Sequence, residues 1–87
     1  MSSAKSTAAP VGTRVQVLSV DAGLLASLRG EERALVESMV GQVYPVLEVQ
    51  ASGHVVVEAS APSASGYTII QRLALSASEF KVVHRAA

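Results

Sequence analysis

Cysteine and tryptophan are absent from the 87 residues, and the only aromatic residues are two tyrosines and one phenylalanine. Without cysteine the chain has no disulfide and no thiolate ligand for a metal, and a reducing cytoplasm is the compartment expected by default. Apolar residues are 49% of the chain but aromatics only 3%. The core must therefore be built from Val, Leu, Ile and Ala, a composition that suits β-strands.

Long apolar runs are also missing, and no stretch approaches the roughly 20 residues of a membrane span. We therefore expect a soluble protein with no membrane partner. The first residues, MSSAKSTAAPV, are small and polar and contain no apolar run of signal-peptide length. They predict a disordered tail over residues 1–11, followed by a single small domain over residues 12–87.

An excess of either charge is lacking, since seven basic residues balance seven acidic ones. The distribution is uneven: residues 1–20 and 66–87 each carry a net charge of +2, and residues 21–65 carry −4. A protein that grips a phosphate backbone usually shows a clear basic excess, because each neutralised phosphate needs a Lys or Arg. The composition thus disfavours nucleic acid as the main partner.

The first half of the chain contains a strand and then a helical segment. The stretch TRVQVLSV alternates Val15 and Val17 with polar residues, which predicts a half-buried strand. Asp21 stands where an N-cap would, and a helical period of apolar residues continues to Gly41, a natural stop. The sequence predicts that helix is confined to about residues 21–40, interrupted at Gly30.

From Gly41 onward the apolar period returns to two. The segment 43–58 predicts a hairpin with its turn at ASGH and with Val43, Leu47 and Val49 on one side. Pro45 cannot donate to a strand ladder, which favours an edge or a bulge there. In this interpretation Tyr44 has the opposite parity and faces outward beside Pro45, although partial burial under the helical segment is the favoured alternative.

The last third of the chain predicts two more strands. The small residues of SAPSASG, 60–66, predict a mobile loop. The stretches YTIIQRLAL and FKVV predict a fourth and a fifth strand, the latter with Phe80 and Val82 inward. Between them, SASE has the length of one tight 3₁₀ turn, enough to redirect the chain.

The frames VGTRVQVL, MVGQVYPVLEVQASGHVVVEA and LALSASEFKVV resemble small bacterial SH3-like domains, including those of the KOW type. The resemblance covers most of the chain from Gly12 to Val83. It implies a mainly β fold: a small five-stranded SH3-like barrel with a helical insert after the first strand. In such a barrel the first and last strands lie close together. The KOW-type pattern further implies an RNA- or ribosome-binding module.

Residues that could carry catalysis or bind a metal lack a framing motif. His54 and His84 are the only histidines, and we interpret both as solvent-facing turn or strand-end residues. A triad assembled from Asp21, His54 and one of three serines has no nucleophile elbow around any of them; the serines are Ser60, Ser63 and Ser65. Glycine spacing offers no phosphate cradle. The sequence therefore predicts neither an enzyme nor a cofactor or metal site.

Two functions remain from this reasoning. The first is a protein-interaction or accessory module, with Tyr44, Pro45 and Tyr67 as candidate partner contacts. The scarcity of aromatics argues against proline-rich ligands, which dock between aromatic rings. The second is an RNA- or ribosome-binding module, with a basic strip formed by Arg14, Lys81 and Arg85. Nucleic acid is the less favoured partner of the two.

The helical segment carries an apolar stripe, which we expect to pack against another apolar surface. Leu35, Val36, Met39 and Val40 lie at helical spacing. The favoured interpretation is a structural lid over one end of the barrel. The alternative is that Leu35 and Met39 remain available to a partner.

Overall fold

The computed structural model describes residues 9–85 as six strands, two α-helices and one 3₁₀ turn. The elements in chain order are β1 (Arg14–Val17), α1 (Ala22–Ser27), α2 (Gly30–Met39), β2 (Val43–Pro45), β3 (Glu48–Val49), β4 (Val55–Pro62), β5 (Thr68–Leu75), the 3₁₀ turn (Ala77–Glu79) and β6 (Phe80–His84). The strands form two antiparallel sheets of three: sheet A in the order β2-β1-β6, and sheet B in the order β3-β4-β5.

The N-terminal segment was expected to be a disordered tail over residues 1–11. Its first eight residues lie outside the described part of the chain. Of the remaining three, Ala9 is fully buried in the core cluster, and the Pro10 carbonyl accepts a hydrogen bond from the Thr13 amide at 2.9 Å.

The prediction of a closed five-stranded SH3-like barrel is wrong. No ladder joins sheet A to sheet B within residues 9–85. The segment expected as one strand is split, because the chain leaves sheet A after Pro45 and enters sheet B at Glu48. Between them, Val46 is buried and its amide donates to the Thr13 carbonyl at 2.8 Å. The helical insert after the first strand and the pairing of β1 with β6 agree with the expectation.

The side chains around Pro45 face differently from the prediction. Val43 and Leu47, predicted inward, are 45% and 43% exposed, whereas Val46 is the buried residue of this segment. Tyr44 is half-buried and packs against the core, so the outward interpretation of Tyr44 is wrong and partial burial is confirmed. Because Tyr44 and Val46 share the inner side, their odd-numbered neighbours face outward, as expected when the side chains of an extended backbone alternate with a period of two.

The helical segment forms where the apolar spacing predicted it. The Asp21 carboxylate caps α1 by accepting from the Leu24 amide at 2.9 Å, and Gly41 follows α2 with a φ of +89°. Leu35, Val36 and Met39 are buried. α2 packs across β4 and β5 of sheet B, so its stripe is covered within the chain. It covers one face of a sheet rather than the end of a barrel.

The prediction of a loop over residues 60–66 is wrong for residues 60–62, which belong to β4. It also did not include the hydrogen bonds that connect residues 63 and 64 to α2. β4 continues to Pro62, which pairs with Thr68 of β5. Ser63 is only 7% exposed, and its hydroxyl donates to a Glu31 carboxylate oxygen at 3.0 Å. The other Glu31 oxygen accepts from the Ala64 amide at 2.8 Å. The start of α2 is thus fixed to the turn of the β4–β5 hairpin.

The remaining predictions of local structure are confirmed. The 3₁₀ turn spans Ala77–Glu79 and begins with a capping box, in which Glu79 accepts from the Ser76 amide at 2.8 Å. Phe80 and Val82 are half-buried against the core. No helix within residues 9–85 has the length and hydrophobicity that a membrane span requires.

Candidate interaction face on sheet A

The outer surface of sheet A is defined by the register of its three strands. Val15 and Val17 are fully buried, so Arg14 and Gln16 of β1 point away from the core. Residues paired directly across an antiparallel ladder share a face. Arg14 pairs with Pro45 and His84, and Gln16 pairs with Val43 and Lys81. We call these six residues the sheet A face: Arg14, Gln16, Val43, Pro45, Lys81 and His84.

The sheet A face carries basic groups and no carboxylate. None of β1, β2 and β6 contains an Asp or Glu. Arg14 and Lys81 are exposed, and neither takes part in the two ion pairs found within residues 9–85, which are Arg33–Glu37 and Arg72–Glu58. The two residues are diagonal neighbours across the β1–β6 ladder, because Lys81 pairs with Gln16, two positions after Arg14. The face therefore presents two cations to solvent, flanked on the β2 side by Val43 and Pro45.

The basic strip expected from the sequence is only partly assembled. The β1–β6 pairing brings Arg14 and Lys81 to one face, whereas Arg85 is exposed just beyond the end of β6. His84 was interpreted as a strand-end residue in solvent, and it is exposed, but its position opposite Arg14 was not foreseen. That position depends on a register shift between Arg14 and Val15, which sequence spacing does not reveal.

The three candidate partner contacts do not form one site. Pro45 is exposed on an edge strand and belongs to the sheet A face. Tyr44 belongs to the opposite, inner side of the same strand, and desolvation by burial raises the pKa of its phenol above 10.0. Tyr67 is 63% exposed at the far end of sheet B. Only Pro45 therefore combines with the basic residues.

Tyr67 lines a shallow cleft between the hairpin turn and the start of α2. The cleft has a volume of about 280 Å³, and its other lining residues are Arg29, Glu31, Glu32 and Ile69. Glu31 is already bound to Ser63 and Ala64. The cleft thus offers one exposed ring and few free polar groups.

A larger polar cleft of about 490 Å³ contains Asp21 and His54 together with Ser52, Ser76 and Glu79. Four of these residues already have partners: Asp21 caps α1, Glu79 closes the capping box, and the Ser52 hydroxyl lies 2.8 Å from His54 Nδ1. The serines considered for a triad are elsewhere. Ser63 lies beyond Pro62, at the opposite end of β4 from His54, so about 25 Å of strand separates the two residues.

Metal ligation has no support in the described residues. Within residues 9–85 no group of three or more His, Asp or Glu side chains is placed to hold a metal ion. No protein family model, curated protein or solved structure gives a significant match to the chain. The resemblance to SH3-like domains therefore stays a prediction from the sequence pattern, and the sheet A face rests on its own chemistry.

Proposed function

We propose that the chain is a protein-interaction or accessory module that binds an acidic, partly apolar segment of a partner protein through the sheet A face. The observation that carries this proposal is the absence of any carboxylate from β1, β2 and β6, beside two cations that form no ion pair with any other residue of the range 9–85. Val43 is 45% exposed on the same face, and Pro45 lies next to it. Together they supply apolar contact area next to the charges.

RNA binding is the second candidate, supported by the β1–β6 pairing, in which Arg14 and Lys81 lie on the same face. It ranks lower for two reasons. Two or three cations neutralise few phosphates, which allows only weak, salt-sensitive binding. The sheet A face also carries no aromatic ring on which a base could stack, since Tyr44 and Phe80 pack toward the core.

A titration separates the two candidates. The probes are a short peptide of alternating Glu and Val, a peptide of alternating Lys and Val, and a single-stranded RNA with the same charge as the Glu peptide. At about 0.15 M salt we expect binding of the Glu/Val peptide and none of the Lys/Val peptide. RNA is expected to bind no more tightly than the weak nonspecific range.

Variants locate the binding on the protein. Arg14→Gln combined with Lys81→Gln is expected to weaken the Glu/Val peptide roughly tenfold, the equivalent of about 1.4 kcal/mol from two exposed charge contacts. The matched control is Arg29→Gln with Arg33→Gln, which makes the same change in net charge on the helical side of the molecule. Equal weakening by both pairs would refute the sheet A face. Submicromolar RNA binding abolished by the first pair would make the RNA-binding function the correct one.

A further inference from the structure

The two sheets have four outer strands, and three of these are poorly suited to pair with another chain. β3 has two residues, and β2 has three residues ending in Pro45. β6 carries Lys81 and a register shift. Short length, proline, lysine and bulges are the devices by which proteins prevent edge-to-edge pairing.

β5 is the fourth outer strand and has none of these devices. It is eight residues long, contains no proline or lysine, and pairs with β4 in unbroken register from Val55–Leu75 to Pro62–Thr68. Within residues 9–85, no strand pairs with its other edge. Alternate N–H and C=O groups of an edge strand point outward, so about half of the β5 backbone polar groups face away from the sheet.

We propose that this edge is a dimerisation surface, at which β5 pairs antiparallel with β5 of a second copy of the chain. A two-fold pair joins the two three-stranded sheets into one sheet of six strands, a common size for sheets. The partner is a second copy because the strand is self-complementary in composition and charge.

Arg72 is the only charged residue of β5, so it alone decides whether like charges meet when two copies of β5 pair. Its guanidinium is already bound to Glu58 of the neighbouring strand at 2.8 Å. In the register centred on Ile70, Arg72 faces Thr68 of the second copy, so no like charges meet. Ile70 is 57% exposed and lies against its own counterpart at the two-fold axis. This register therefore removes the most exposed aliphatic side chain of β5 from water.

The position of α2 is compatible with this dimer. α2 packs over β4 and β5, so the two copies of α2 lie about two strand spacings apart, roughly 10 Å. That is close to the distance at which helices pack against each other. Two of the three α2 carboxylates already have partners, since Glu31 binds the hairpin turn and Glu37 binds Arg33. Repulsion between the two helices is correspondingly small.

Sedimentation equilibrium of the full chain over a range of concentrations tests the dimer. We expect the mass to rise with concentration from one chain of 9.0 kDa toward that of two chains. Ile70→Lys is expected to keep the protein at the mass of one chain at every concentration. The matched control Val83→Lys, at a residue 52% exposed on β6, is expected to dimerise like the unaltered chain.

Hydrogen exchange of the unaltered chain supplies a readout that needs no substitution. β5 amides are expected to become more protected as the concentration rises, whereas β6 amides do not change. A protein that stays at the mass of one chain at all concentrations overturns the proposal. So does a dimer that survives Ile70→Lys, or one whose concentration-dependent protection lies in β6.

Discussion

Sheets A and B differ in the groups that they expose to solvent: charged side chains unpaired within residues 9–85 in sheet A and a backbone edge in sheet B. Sheet B pairs Glu58 with Arg72 across its two long strands and leaves a long regular backbone edge at β5. Sheet A has shorter strands with protected edges, and it leaves Arg14 and Lys81 without carboxylate neighbours in its strands. In the two proposals made above, sheet A binds a partner through its side chains, whereas sheet B pairs with a second copy through its backbone.

The two sheets share one hydrophobic core, and breaking that core has the largest expected effect. Leu73 of sheet B is 2% exposed and belongs to the same cluster as Val15 and Val17 of sheet A. Leu73→Ala is expected to lower the free energy of unfolding by about 2–5 kcal/mol. The unfolding transition should remain single, since neither sheet has a core of its own.

Denaturant unfolding followed by circular dichroism measures this change. Val83→Ala, at a residue of β6 that is 52% exposed, is the control, with an expected change within about 0.5 kcal/mol. Two separate transitions, or equal effects of the two substitutions, would contradict a shared core.

The contact between α2 and the hairpin turn is the next largest contribution. Glu31→Ala removes hydrogen bonds to the Ser63 hydroxyl and the Ala64 amide, at 3.0 and 2.8 Å. We expect a loss of about 1–2 kcal/mol, because hydrogen bonds to a charged group contribute more than neutral ones. Glu32→Ala, at the adjacent exposed position, is expected to change stability by less than about 0.5 kcal/mol. Indistinguishable unfolding midpoints for the two variants would show that the hydrogen bonds of Glu31 to the hairpin turn do not stabilise the fold.

Removing the paired cation of sheet B, or a cation of sheet A that is unpaired among the described residues, is expected to change the free energy of unfolding less than the substitutions above. Arg72→Ala removes an exposed pair with Glu58 and is expected to destabilise the protein by roughly 0.2–1 kcal/mol at low salt. Arg14→Ala, which removes no ion pair of the described residues, is expected to be close to neutral. Added salt should shrink the first effect and leave the second unchanged. A larger loss of stability for Arg14→Ala than for Arg72→Ala would contradict this prediction.

The smallest expected effect is at alkaline pH and concerns Tyr44. Burial raises the pKa of its phenol in the folded state above 10.0, so the folded protein holds this proton more tightly than the unfolded chain. The free energy of unfolding contains this contribution in full below pH 10 and loses it as pH rises toward the folded pKa. Tyr44→Phe is expected to reduce the decline in stability above pH 10. If the stability of this variant falls above pH 10 as steeply as that of the unaltered protein, the fall is caused by the titration of other groups.

Much of the local structure could be predicted from the sequence, because local signals determined it. The alternation of Val15 and Val17, the N-cap Asp21 and the turn at SASE each depend on residues within a few positions of one another. The pairing of β1 with β6 was also expected, and with it part of the basic face.

The rest depended on contacts between distant residues. Whether Pro45 ends a strand or bends it is decided by the bond between Val46 and Thr13, and this choice splits one strand between two sheets. The hydrogen bonds that hold Ser63 and Ala64 depend on Glu31, which lies 32 positions before Ser63. The absence of carboxylates from the sheet A face became visible only once the register of the three strands was known.

The most direct test of the sheet A face is to map the binding of the Glu/Val peptide by backbone amide chemical shifts. Binding at the sheet A face predicts shifts that saturate with peptide and cluster in β1, β2 and β6, centred on Arg14, Gln16 and Lys81. The amides of β5 and the hairpin turn should change little. Shifts centred on Tyr67 and the start of α2, or no saturable shifts on sheet A, would contradict the account.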